Sequence, residues 1–209
     1  MTEFWESSFI ENQLMWGFEP SDSAILVKDF FLEKHVNEIL IPGIGYGRNA
    51  KVFLDNGINV TGIEISRTAI ELARQNGLSI PIFHGSVSDM PFEDKLYVGI
   101  FSYALIHLLN KSERVKLIQD CYHQLKPNGF MIFTTISKEA PMYGKGKQIG
   151  KDYFETMNGV KMFFYDEDSV KQEFGNYGLV EISEVVEPHK DKEDKPPFKF
   201  LMITCKKEG

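Results

Sequence analysis

The chain has little cysteine, no cationic excess and no long apolar run. Its two cysteines, Cys121 and Cys205, lie far apart in 209 residues. Neither has a second ligand at metal-binding spacing, so no metal site is expected, no disulfide framework organises the fold, and both thiols read as reduced core residues. Acidic residues outnumber basic ones by 30 to 23, a net charge of −7. That balance argues against a general nucleic-acid partner, which needs a basic face. No apolar stretch approaches membrane-spanning length, so no membrane partner is expected. The opening Met1–Glu6 lacks a basic region followed by an apolar run, and the expected location is the cytoplasm. There are no internal repeats, and the length fits one α/β domain over 1–209 with a full-sized core.

What is present is a strand, glycine loop, helix, strand, acid unit. Ile39 to Ile41 is a short apolar run bounded by Pro42, which reads as a buried strand. Gly43, Gly45 and Gly47 follow at alternate positions. Glycines there let the backbone take conformations closed to other residues and let a ligand lie against it. Arg48 to Leu54 reads as a helix closed by Asn56-Gly57, and Ile58 to Ile63 as a second strand ending on Glu64. An acid at that strand tip can accept hydrogen bonds from two ribose hydroxyls. A dinucleotide fingerprint would place its third glycine where Arg48 stands, so the spacing does not favour NAD. A nucleotide-free domain with a tight turn is the plainer alternative.

The loop resembles that of the class I S-adenosylmethionine (SAM) methyltransferases. Pro42-Gly43-Ile44-Gly45 is similar to the thiopurine and halide/thiol branch, and Gly47-Arg48-Asn49-Ala50 to the tellurite-resistance methyltransferases. The resemblance implies a Rossmann-like, seven-stranded, mostly parallel sheet with an antiparallel last strand, helices on both faces and an N-terminal cap segment. It implies SAM as cofactor and S-adenosylhomocysteine as product. Gly43, Ile44, Gly45, Gly47 and Arg48 would then wrap the cofactor, and Glu64 and Ile65 would hold its ribose end. His84-Gly85-Ser86-Val87-Ser88-Asp89-Met90-Pro91-Phe92 is similar to the family phrase after the third strand, with Ser86 where an adenine-binding acid usually stands. Ser86 accepts the same bond more weakly than a carboxylate, with the Val87 backbone beside it and Asp89 ranked below as a turn residue.

The first 23 residues carry Phe4, Trp5, Phe9, Trp16 and Phe18. The resemblance makes them a cap over the cofactor cleft, where Trp16 suits the sulfonium and adenine through cation–π attraction and stacking. Simple packing of this segment on the sheet is the alternative. Ser21-Asp22-Ser23 signals the start of a helix over 24–34, with Leu26, Val27, Phe30 and Phe31 on its buried face. Ser66 starts a helix carrying Ala69, Ile70, Leu72 and Ala73. Ile80 to Phe83 reads as the third strand and Leu96 to Ser102 as the fourth. Ligands sit beyond the carboxyl ends of such strands, so Tyr103 and His107 are the candidate catalytic residues. His107 is a general base near neutral pH or an oriented structural histidine. Ser102-Tyr103-Ala104-Leu105 is not the Asn/Asp-Pro-Pro-Tyr/Phe of enzymes that methylate base amino groups.

Ser112 is expected to cap a helix from Glu113 to Leu125. Lys126-Pro127-Asn128-Gly129 reads as a turn, Phe130 to Ile136 as the fifth strand, and Asp166 to Tyr177 as a helix ended by Gly178. Leu179–Val186 and Phe198–Cys205 read as the last strands, with 187–197 an exposed, charged, proline-rich loop. Residues 138–165 break the strand–helix alternation and are expected to form a substrate lid. In it Tyr143, Lys145 and Lys147 either favour an anionic or polarisable acceptor or merely solubilise a loop. The expected function is methyl transfer from SAM to a small-molecule acceptor in one in-line displacement. A thiolate, selenide, tellurite-derived anion or halide needs no base, and a phenol or alcohol needs one. A protein or RNA target, or a non-catalytic SAM sensor, is the alternative. The acceptor's identity and the oligomeric state are not legible.

Overall fold

The structure is a computed structural model and describes residues 2–14, 16–156, 159–188 and 197–209. Met157 of the expected lid, and residues 189–196 of the charged loop, lie outside the described residues. The chain begins with helix α1 (Thr2–Asn12) and helix α2 (Asp22–Glu33). Then come β1 (Glu38–Pro42), α3 (Ala50–Leu54), β2 (Asn59–Glu64), α4 (Arg67–Gln75), β3 (Ile82–His84) and β4 (Tyr97–Ser102). Helix α5 (Lys111–His123) leads to β5 (Leu125–Ile136), then to short strands β6 (Lys147–Gly150), β7 (Tyr153–Glu155) and β8 (Lys161–Phe163). Helix α6 (Glu167–Phe174), β9 (Leu179–Glu187) and β10 (Phe198–Lys206) close the chain.

Seven strands form one sheet in the order β3-β2-β1-β4-β5-β10-β9. Strands β1 to β5 pair in parallel, while β10 is antiparallel to both β5 and β9. This is the expected α/β sheet with its antiparallel last strand. The chain order reverses between β1 and β4, and a parallel sheet opens a crevice at such a switch point. Strand β9 points the same way as β5, so the ends of β1, β2, β4 and β9 share one edge of the sheet. Apolar clusters cover both faces. One packs Leu117, Ile118 and Cys121 of α5 and Val170 and Phe174 of α6 against Ile100 and Phe133. The other packs Val27 and Phe31 of α2 and Phe53 of α3 against Ile39 and Phe101. Among the described residues no helix is long and apolar enough to cross a membrane.

Several expected elements shift for local reasons. The helix after the glycine loop is shorter than expected, because Arg48 and Asn49 stay in the turn and the Asn49 side chain accepts the Ser21 N–H at 2.9 Å instead of capping. Asn110, not Ser112, caps α5. Its Oδ1 accepts the Glu113 N–H at 3.0 Å and the Glu113 carboxylate accepts the Asn110 N–H at 2.8 Å, a reciprocal capping box. Leu26 faces solvent, half exposed, and Ala24 takes its place in the core. The last turn of the Asp166-capped helix tightens into a 3-10 turn, Gly175–Tyr177, and Gly178 ends it at φ +68°. Residues 2–12 form a regular helix although the run reads only as an aromatic cap. Residues 147–163 form a small antiparallel sheet, β6-β7-β8, that the sequence does not announce.

Candidate active site

Glu64, the last residue of β2, is 5% exposed and faces the glycine loop. Its Oε2 accepts the Gly45 N–H at 2.7 Å and its Oε1 accepts the Ser66 N–H at 2.9 Å. Gly45 presents that N–H from a left-handed backbone, φ +58°, which a side-chain-bearing residue adopts only at a cost. A carboxylate has about four lone-pair positions. Two are filled here, and the remainder are available to hydroxyl donors. Burial pushes the Glu64 pKa above the ordinary carboxylate value, and the N–H groups of Ser66, Gly45 and Ile65 act in the opposite direction.

A cavity of about 970 Å³ opens on this carboxylate. One end is lined by Gly43, Ile44, Gly45, Arg48, Glu64, Ile65, Ser86, Val87 and Trp16. These expected residues come from the ends of β1, β2 and β3 and from the N-terminal segment. Gly47 stands apart and does not line the cavity. A Cβ there would fall 2.3 Å from the Leu78 side chain, so its role is close packing at φ +82°. Asp89 is exposed and lies outside the cavity. The Ser86 hydroxyl accepts the Ser88 N–H at 3.1 Å and keeps its own proton to donate.

Trp16 forms one wall of the cavity. Its ring stacks on Tyr46, with centroids 6.3 Å apart, and meets Trp5 and Phe9 at its edges. The Tyr46 hydroxyl donates to the Gly17 carbonyl at 2.7 Å, and Arg48 Nη1 donates to the Trp16 carbonyl at 3.1 Å. The glycine loop itself therefore holds the N-terminal aromatic segment in place. Tyr46 was not among the expected site residues, although its place between Gly45 and Gly47 was a usable signal.

On the far side lie Tyr103, His107, Ile136, Met162 and Phe200. His107 is 6% exposed, and Nδ1 accepts the Ile136 N–H at 3.3 Å. Burial pushes its pKa down to about 3. The ring is therefore neutral at physiological pH, and with Nδ1 occupied as acceptor its proton sits on Nε2. A ring in that state donates from Nε2 and offers no free lone pair, which suits the oriented histidine of the two readings and not the general base. Tyr103 donates its hydroxyl proton to Glu187 Oε2 at 2.8 Å. Burial, then the Glu187 charge, pushes the Tyr103 pKa well above that of a free phenol.

Glu187 corrects the expected exposed loop. It is 5% exposed, the last residue of β9, and it lines the cavity. Its Oε1 accepts the backbone N–H of Ser23 at 2.7 Å and also the Ser23 hydroxyl. Strand alternation was the overlooked signal: Val185 is buried and Val186 is not, so Glu187 points inward. The expected lid residues turn elsewhere. The Tyr143 hydroxyl donates to Asp152 at 2.7 Å, and Lys145 and Lys147 are exposed. None of the three lines the cavity.

A family model described as a methyltransferase domain matches residues 40–133. A ubiquinone biosynthesis O-methyltransferase of Actinobacillus pleuropneumoniae is 28% identical over 114 residues, 51% of this chain and 48% of that protein. The chain spans about half the length of the curated relatives it matches. Among solved structures, a 1,6-didemethyltoxoflavin-N1-methyltransferase of Burkholderia thailandensis, holding that compound and S-adenosylhomocysteine, superposes with a TM-score of 0.73 at 18% identity, over 100% of this chain and 87% of that one. TehB of Haemophilus influenzae superposes at 0.66 with 16% identity, over 98% and 67%. Residues 40–133 thus match a methyltransferase domain, and the fold is the one these SAM-dependent methyltransferases share.

Proposed function

We propose that this chain is an enzyme that transfers the methyl group of SAM to a small-molecule acceptor by in-line displacement, releasing S-adenosylhomocysteine. The observation that carries this reading is the Glu64 carboxylate, fixed by the Gly45 and Ser66 N–H groups with lone pairs left toward the cavity. SAM, when bound, supplies the electrophilic methyl carbon and its leaving group. The chain's own residues then bind, orient and exclude water. Glu64 holds ribose hydroxyls, Ser86 and Val87 meet the adenine, and Trp16 covers the cleft. The cavity's size, at the upper end of the range for small-ligand pockets, accommodates an acceptor beside the cofactor. A concave cavity of that size favours a small molecule over a protein or RNA. The relatives' names, an O-methyltransferase and an N-methyltransferase acting on a heterocycle, are consistent with it. We read 1–209 as one methyltransferase domain, 1–23 as its cap and 138–165 as the acceptor lid.

In this reading His107 faces the acceptor side as a hydrogen-bond donor, Tyr103 gives its one proton to Glu187, and neither takes up a proton. The expected pH profile follows. The rate at saturating substrates shows no ionisation from His107 between about pH 6 and 8, because its pKa is held near 3. A rise in kcat around pH 6.5 that disappears in His107→Gln would restore the general base. The activity itself is tested by S-adenosylhomocysteine release across thiols, chalcogen anions, halides, phenols and amines, with bulk RNA and protein as controls. Turnover on one small-molecule class is expected; turnover on RNA or protein alone contradicts the reading.

A further inference from the structure

Glu187 is the buried carboxylate that the proposed function leaves without a task. Among the described residues, and leaving Asp22 aside, the cavity is lined by four carboxylates, Glu19, Glu64, Glu113 and Glu187, and by one permanent cation, Arg48. His107 is neutral, and Lys145 and Lys147 face away. Arg48 already donates to the Trp16 carbonyl, and its guanidinium lies 5.8 Å from the Tyr103 ring centre. Among the described residues an anion in this space therefore meets more carboxylates than cations, and Glu187 is one of the two that are buried.

Glu187 itself has limited capacity. Three donors reach its four lone-pair positions: the Ser23 N–H and hydroxyl on Oε1, and the Tyr103 hydroxyl on Oε2. One position remains, on Oε2 beside Tyr103, in a carboxylate that borders the cavity. The network spans the N-terminus of α2, the end of β4 and the end of β9, so the carboxylate is fixed before anything binds. A fixed, buried acceptor rejects a ligand that brings no donor, because its own desolvation then goes uncompensated.

We propose that Glu187 is a specificity-determining residue that accepts a hydrogen bond from the methyl acceptor. The acceptor class is then a neutral or cationic molecule with an N–H or O–H group, such as an amino-heterocycle, an amine or a phenol, and not a preformed anion. The inference rests on the methyltransferase reading and deepens it.

The test is binding of probes to the full chain saturated with S-adenosylhomocysteine, read by titration calorimetry and by Trp16 fluorescence. The probes are 2-aminopyrimidine and catechol as donors, and iodide and thiophenolate as anions. The donors are expected to bind the wild type in preference to the anions. Glu187→Gln is expected to weaken donor binding by about 10–100-fold, the range for loss of a charged hydrogen-bond partner, with S-adenosylhomocysteine affinity held within about twofold. Glu187→Asp retains the charge and is expected to give an intermediate loss, which separates the carboxylate's role from simple misfolding. Preference for iodide or thiophenolate, no donor binding to the wild type, or equal donor binding by wild type and Glu187→Gln each overturns the inference while leaving the cofactor reading standing. A wild type that takes up no S-adenosylhomocysteine overturns both.

Discussion

Replacing Glu64 with alanine is expected to raise the Kd for SAM by about 100-fold. Hydrogen bonds to a charged acceptor contribute roughly 1.5–3 kcal/mol each, and loss of one or two at a ribose spans that factor. The substitution also frees the Gly45 and Ser66 N–H groups, now held at 2.7 and 2.9 Å, so the loop loses its anchor as well as its ligand contact. Calorimetry with SAM and S-adenosylhomocysteine measures it, and unchanged affinity removes the ribose assignment. A pH dependence accompanies it. Burial raises the Glu64 pKa in the folded chain, so between its unfolded and folded values the folded state holds the extra proton. The stability that proton contributes is complete below the unfolded pKa and is lost as pH rises through the raised one. Cofactor binding runs the other way, because the ionised carboxylate is the better acceptor. Affinity for SAM is therefore expected to fall as pH drops through the raised pKa, earlier than for an exposed glutamate, while the ligand-free protein does not lose stability from this group.

The second large effect is on folding. Arg114 and Glu173 form a buried ion pair at 2.8 Å, with side chains 4% and 9% exposed. The Tyr165 hydroxyl donates to Glu173 at 2.6 Å, Arg114 Nη1 donates to the Leu109 carbonyl at 3.2 Å, and the guanidinium lies 4.0 Å from the Phe163 ring centre. One side chain thus joins α5, α6, β8 and the segment that carries His107. Removing one partner leaves a buried charge uncompensated, which costs about 3–5 kcal/mol. Arg114→Ala is expected to lower Tm by roughly 10 °C, given the few degrees per kcal/mol of a chain this size. Replacing both partners by apolar residues of similar volume is expected to recover much of the loss. A single variant within about 1 kcal/mol of wild type would show that the pair does not tie these elements together.

The strand, glycine loop and acid at one end of the cavity were legible in the sequence because their determinants are local. Pro42 to Gly47 and Glu64 are a strand end, a turn and the next strand end, and each carries its own chemical signal. The far side of the cavity was not, because its geometry is set at long range. Glu187 sits at the edge of a charged, proline-bearing run, and its inward turn follows from β9 continuing its alternation through Glu187, paired opposite Phe198 of β10. Ser23 reads as part of a helix cap, yet its N–H and hydroxyl both go to Glu187, 164 residues away. Tyr143 and the two lysines were candidates by composition, but Asp152 holds the Tyr143 hydroxyl. His107 was found by its position after β4. Its protonation state depends on burial and on the Ile136 N–H, which no local pattern encodes.

The measurement that tests the central claim most directly is calorimetric titration of the full chain with SAM, S-adenosylhomocysteine and NAD. The account predicts that SAM and S-adenosylhomocysteine each bind one equivalent, that both weaken together in Glu64→Ala, and that NAD does not bind. Binding of NAD, or no binding of either SAM or S-adenosylhomocysteine, would contradict it.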